Sequence, residues 1–141
     1  MDVGSGQLDE KLKNDARVVP MEGVNARYLQ KGDLPEEPGF ITMDVSFISQ
    51  TLIYPACARL LAPGRKMITL IKPQFEAGKE NVGKGGIVKD RDGKIFKEIL
   101  ARIDSAAEAC GFMREGLIRS PIEGGDGNTE YLAIFTKFRE G

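Results

Sequence analysis

Between residues 93 and 110 the apolar side chains Ile95, Phe96, Ile99, Leu100, Ile103 and Ala107 recur at helical spacing. That period predicts a helix with one core-facing side, and Gly111 stands where a helix stop favours a left-handed residue. Two short runs, 40–44 (FITMD) and 66–71 (KMITLI), are compactly apolar, as strands of a buried sheet are. Residues 49–61 between them have helical spacing and end at Pro63-Gly64, a terminator pair. Residues 112–119 and 130–138 predict two more strands, joined by the loop 120–129. At the amino end a very short strand (1–3), a short helix (8–14) and a strand at 17–21 (RVVPM) are expected, Pro20 pointing to a sheet edge. Residues 33–39, with two prolines, and the Gly- and Lys-rich stretch 76–86 read as loops.

Strands that alternate with helices imply an α/β domain with a mostly parallel sheet and helices on both faces. The last two strands have only a loop between them, so they should pair antiparallel. A parallel sheet closed by an antiparallel C-terminal strand is the layout of the Rossmann-like methyltransferase fold. All 141 residues fit one domain.

Charge alters this picture little. Twenty basic residues stand against 21 acidic ones, net −1, so a nucleic-acid partner would have to be met by a local patch. The absence of histidine excludes Ser-His and Cys-His catalytic pairs, and two cysteines, Cys57 and Cys110, are too few for a structural zinc site or a disulfide framework. Both are expected reduced, in a cytoplasmic protein. No apolar run approaches the ~20 residues needed to span a bilayer, and no amphipathic basic helix suggests membrane lysis.

In open parallel sheets ligands bind beyond the carboxyl ends of the strands. Asp44 ends one predicted strand and Lys72 the next; Glu130 begins the antiparallel strand, which brings it to the same rim. Pro73 biases Lys72 toward extended backbone, and Gly124-Gly125-Asp126-Gly127 ahead of Glu130 permits a close approach of the chain. Three ionisable residues far apart in sequence are therefore expected to converge.

The flanks of these residues, Asp44-Val45-Ser46-Phe47-Ile48-Ser49, Lys72-Pro73-Gln74-Phe75-Glu76, Val82-Gly83-Lys84-Gly85-Gly86, Ser120-Pro121-Ile122 and Asn128-Thr129-Glu130, resemble those of the hemolysin-A (TlyA-type) family. These are FtsJ-like 2′-O-methyltransferases of ribosomal RNA that use S-adenosylmethionine. The resemblance implies that Asp44, Lys72 and Glu130 are three members of the family's Lys-Asp-Lys-Glu tetrad, with Lys72 as general base. It implies ribosomal RNA or a ribosomal subunit as partner and no membrane or metal role. It also places the family's RNA-binding S4 domain, its glycine-rich cofactor loop, the tetrad's first lysine and the first strand upstream of Met1. That strand is therefore expected to be missing, and cofactor binding by a chain in this form is expected to be poor.

The amino end admits two registers. Asp2-Val3-Gly4-Ser5-Gly6 before a helix looks like a shortened glycine-rich nucleotide loop, with Glu22 near the spacing of a ribose-binding acid. The resemblance instead implies that Asp2 binds the cofactor ribose and that Asn25 lies near the adenine, Asp44 closing the same cofactor site. Lys79, Lys84 and Lys89, with Arg91, would bring positive charge to the rim and grip RNA phosphates. A non-catalytic RNA- or protein-binding module of the same fold is the alternative, and a cytolysin the third.

Overall fold

The computed structural model describes residues 1–140. A four-stranded mixed sheet is formed by β1 (Phe40–Met43), β2 (Lys66–Ile71), β3 (Phe112–Arg119) and β4 (Tyr131–Lys137), in the order β1-β2-β4-β3. β1 and β2 are parallel, while β4 runs antiparallel to both β2 and β3. Three strands thus share a direction and the last lies reversed between two of them. Buried and half-exposed residues alternate along β2 and β4, and the β2–β4 register aligns Met67 with Phe135 and Thr69 with Ala133. Paired residues point to the same side of a sheet, so one face is fully buried.

Against that face pack α2 (Tyr54–Leu60) and α4 (Lys94–Ala109), through Tyr54 and Cys57 of the first and Ile99, Ile103 and Ala107 of the second. The opposite face carries half-buried Ile68, Leu70, Leu132 and Ile134 and exposed Phe40 and Met113. The buried helical residues therefore cover one face, where strand–helix alternation predicts two. α4 follows its apolar period, and Asp90 caps its start by accepting from the amides of Ile95 and Phe96 at 3.1 and 2.9 Å. Buried Lys137 donates to the carbonyls of Ala58 and Leu61, both at 2.5 Å, and so satisfies carbonyls at the end of α2.

Several amino-terminal expectations are corrected. Residues 1–3 and 17–21 are not strands. One backbone hydrogen bond, Asp2 to Met21, joins the two stretches, and two more just beyond them, Val24 to Asp2 and Gly23 to Gly4, continue the contact. Pro20 lacks the N–H that would extend such a ladder. The helix expected at 8–14 is a single turn, α1 (Glu10–Lys13), capped by Asp9. The helix expected at 49–61 is divided into a 3-10 turn, Gln50–Leu52, and α2, because Pro55 is accommodated only in a first turn. The stretch after Lys72 begins with a further short helix, α3 (Pro73–Glu76).

Candidate functional site

The parallel pairing of β1 and β2 sets their carboxyl ends side by side, and β4 starts at the same rim. Asp44 follows β1 and Lys72 follows β2. The register that pairs Ile71 with Tyr131 leaves Lys72 and Glu130 as the next positions on adjoining strands. Lys72 Nζ lies 2.6 Å from Asp44 Oδ1 and donates to Ser46 Oγ at 3.1 Å. The lysine side chain is 15% exposed and the aspartate 64% exposed, so the pair sits at the mouth of the rim with its acid toward solvent.

Glu130 takes a different partner. Its side chain is buried and Oε2 accepts from Gln74 Nε2 at 2.7 Å; among the described residues it forms no ion pair. Gln74 Oε1 is buried without a hydrogen-bond partner, an acceptor beside the carboxyl group. Gly124 explains how the chain passes so close: a Cβ there would stand 2.8 Å from Glu130 Cγ and closer still to the carboxyl group. The three rim residues are thus neighbours, but Lys72 pairs with Asp44 alone and Glu130 is held by an amide.

Phe47 stands out beside them. It is 87% exposed, has a left-handed backbone (φ 68°), and meets the Phe75 ring with centroids 5.0 Å apart. A non-glycine residue in that region is strained and commonly marks a functional site. Neither its exposure nor the role of Gln74 was legible from apolar patterning, because both belong to contacts between loops distant in sequence.

Lys79 and Lys84 sit in two 3-10 turns, Lys79–Asn81 and Lys84–Gly86, and both are exposed, as are Lys89 and Arg91. This lysine loop is tied down. Val82 and Val88 form an isolated bridge across it. Buried Asn128 donates to the carbonyls of Gly86 (2.7 Å) and Gly125 (3.2 Å) and accepts from the Val88 amide (3.1 Å), which joins the loop to the turn preceding Glu130.

A cavity of about 400 Å³ lies beside the rim, and its walls include Asp2, Asn25, Ala26, Asp44, Ser46 and Phe47. Asp2 Oδ1 accepts from the Gly4 amide at 2.9 Å, and Asn25 Oδ1 from the Arg27 amide at 3.0 Å. Glu22, the acid of the other register, lines a separate cavity of about 250 Å³ with Pro20 and Met21. Asp2 borders both, but Asn25 and Asp44 share only the first with it. Cys57, by contrast, is inert: burial pushes its thiol up to about 12.

Residues 1–137 match the family model of the FtsJ-like methyltransferases. The chain is 51% identical over 133 residues to YqxC of Bacillus subtilis, provisionally named an rRNA methyltransferase, covering 94% of this chain and 47% of that protein. It is 38% identical over 131 residues to the 16S/23S rRNA (cytidine-2′-O)-methyltransferase TlyA of Mycobacterium tuberculosis, covering 93% of this chain and 48% of TlyA. A solved structure from Streptococcus thermophilus, provisionally named a hemolysin, superposes with a TM-score of 0.91 at 45% identity, covering 98% of this chain and 50% of that one. The chain therefore spans about half the length of these relatives. Among the described residues no helix is long and apolar enough to cross a membrane.

Proposed function

The chain belongs to the FtsJ-like methyltransferase family, and from that premise we propose that it serves S-adenosylmethionine-dependent methylation of a ribose 2′-hydroxyl of ribosomal RNA, in the cytoplasm. One observation carries the reading: Asp44 is at once the ion-pair partner of Lys72 and a wall of the 400 Å³ cavity, so the rim lysine and a ligand-sized space are joined through one residue.

The cavity suits the cofactor in size and in its polar groups. Asp2 has a second carboxylate oxygen for ribose hydroxyls, the Asn25 amide would face the base, and Asp44 closes the end nearest Lys72. When bound, S-adenosylmethionine supplies an electrophilic methyl group on a sulfonium centre. Lys72 Nζ is the group placed to take the hydroxyl proton as general base, a role open to its neutral amine and not to the ammonium that pairs with Asp44, so its own proton must first leave to solvent. Asp44 and Ser46 orient that nitrogen, and Glu130, held by Gln74, would face the incoming ribose. Phe47 offers an exposed ring on which a base taken out of its helix would stack. Lys79, Lys84 and Lys89 would contact backbone phosphates.

The test is titration calorimetry with S-adenosylmethionine, and transfer of labelled methyl to ribosomal subunits. Both are run on this chain and on one extended with the upstream segment of its relatives. Cofactor binding and 2′-O-methyl transfer abolished by Lys72→Ala are expected of the extended chain. If it neither binds cofactor nor methylates RNA, the reading is wrong. RNA binding that persists without any methyl transfer would favour a non-catalytic binding module instead.

A further inference from the structure

Beyond the rim, one buried carboxyl group is engaged from three directions. Glu76 closes α3 with its side chain 2% exposed. Its Oε2 accepts from Ser49 Oγ at 2.6 Å and its Oε1 from the Gln50 amide at 2.9 Å. Arg102 of α4 places Nη2 3.8 Å from Oε2 and also donates to the Glu76 carbonyl. Gln50 is itself buried and engaged at both ends of its amide: its Nε2 donates to the Leu70 carbonyl at 3.2 Å, and its Oε1 accepts from the Tyr54 hydroxyl at 2.7 Å.

These contacts form one end of a ladder. Residues 44–50 leave β1 and residues 72–76 leave β2, and the two segments run alongside each other. Asp44 and Ser46 meet Lys72 at one end, the Phe47 and Phe75 rings meet in the middle, and Ser49 and Gln50 meet Glu76 at the other end. The first end is weakly held, because an ion pair whose acid is 64% exposed contributes little order of its own. The middle is strained, since Phe47 is a non-glycine residue at φ 68°. Hydrogen bonds to a buried charged acceptor are stronger and stiffer. The two donors come from consecutive residues and each takes its own oxygen, an arrangement that a carboxylate offers and an amide or hydrocarbon does not.

We infer that Glu76 is a positioning residue for methyl transfer: its carboxylate fastens the far end of segment 44–50, and so holds Asp44 and Ser46 on Lys72 and Phe47 in its left-handed turn. The inference rests on the function proposed above. Glu76 itself touches neither cavity nor rim; it acts through Ser49 and Gln50.

The experiment compares the protein with Glu76→Ala, Glu76→Gln and Ser49→Ala. The readouts are amide hydrogen exchange, the side-chain NMR signal of Lys72, and steady-state methyl transfer by the extended chain. Glu76→Ala is expected to speed exchange at residues 45–50 by about tenfold or more, leaving residues 99–107 of α4 unchanged, and to shift the Lys72 signal. Glu76→Gln and Ser49→Ala, which keep the Gln50 bond, are expected to fall between it and the native protein, and they carry the test if Glu76→Ala does not fold. In turnover, kcat should fall about tenfold with KM for RNA within about twofold. Unchanged exchange at 45–50 in the variants that fold overturns the inference. So does an unchanged kcat alongside a lowered melting temperature, which is what a merely stabilising role would give. An inactive native protein would sink the proposed function instead, and exchange together with the Lys72 signal would still decide the role of Glu76.

Discussion

Gly124→Ala separates a collision from backbone strain, because the backbone at Gly124 is one any residue adopts (φ −74°, ψ −177°). On backbone grounds alone, alanine there should stabilise the fold by about 0.4–1 kcal/mol through the unfolded chain. The packing says the opposite. The new Cβ would stand 2.8 Å from Glu130 Cγ and nearer still to the carboxyl group, and that side chain is buried and pinned by Gln74. Ordinary contact requires a retreat of about 1 Å or more, which breaks a hydrogen bond to a charged group worth about 1.5–3 kcal/mol. The net expectation is a loss of about 1–2 kcal/mol, several degrees in melting temperature for a chain of this size. If Glu130 has the catalytic role proposed for it, the same displacement should lower methyl transfer by about 100-fold in the extended chain. Urea melts at neutral pH and methyl incorporation into ribosomal subunits measure the two effects. A variant as stable as the native protein, or more so, and fully active would refute the placement of Glu130 against this turn.

Glu76 should also be visible in the pH dependence of stability. Burial pushes its carboxyl group above the ordinary glutamate value, against the opposing hydrogen bonds of Ser49 and Gln50 and the charge of Arg102. A raised carboxyl pKa in the folded state means that the folded protein binds the proton more tightly, so this group favours folding more as the pH falls. The native protein should therefore gain stability relative to Glu76→Gln between neutral pH and about pH 4, tracked by paired urea melts; a relative loss contradicts the shift. Lys137→Met should cost about 2–3 kcal/mol, because the Ala58 and Leu61 carbonyls lose their buried donor. A thermal melt equal to the native one would refute that role. Neutralising Lys79 and Lys84 together should weaken RNA binding and flatten its slope against salt by about two units. Filter binding at several salt concentrations tests this, and an unchanged slope would remove the loop from the RNA surface.

Much of the domain followed from local chemistry. The period of α4 is carried by Ile95, Ile99, Ile103 and Ala107, and the strands at 40 and 66 are compact apolar runs, so neighbours in sequence suffice to define them. The meeting of Asp44, Lys72 and Glu130 at one rim was legible as well, because strand direction alone dictates which ends lie together. Three things required the folded molecule. Only the fold shows that the expected strands 1–3 and 17–21 give way to three backbone hydrogen bonds between residues 2–4 and 21–24 in place of a ladder. Only the fold divides the rim into a Lys72–Asp44 pair and a Gln74–Glu130 pair. And only the fold brings Glu76 against Ser49 and Gln50, 27 and 26 residues away in sequence. Periodicity reports which face of an element is apolar; a hydrogen bond between loops depends on where two strands end in space, and no local pattern encodes that.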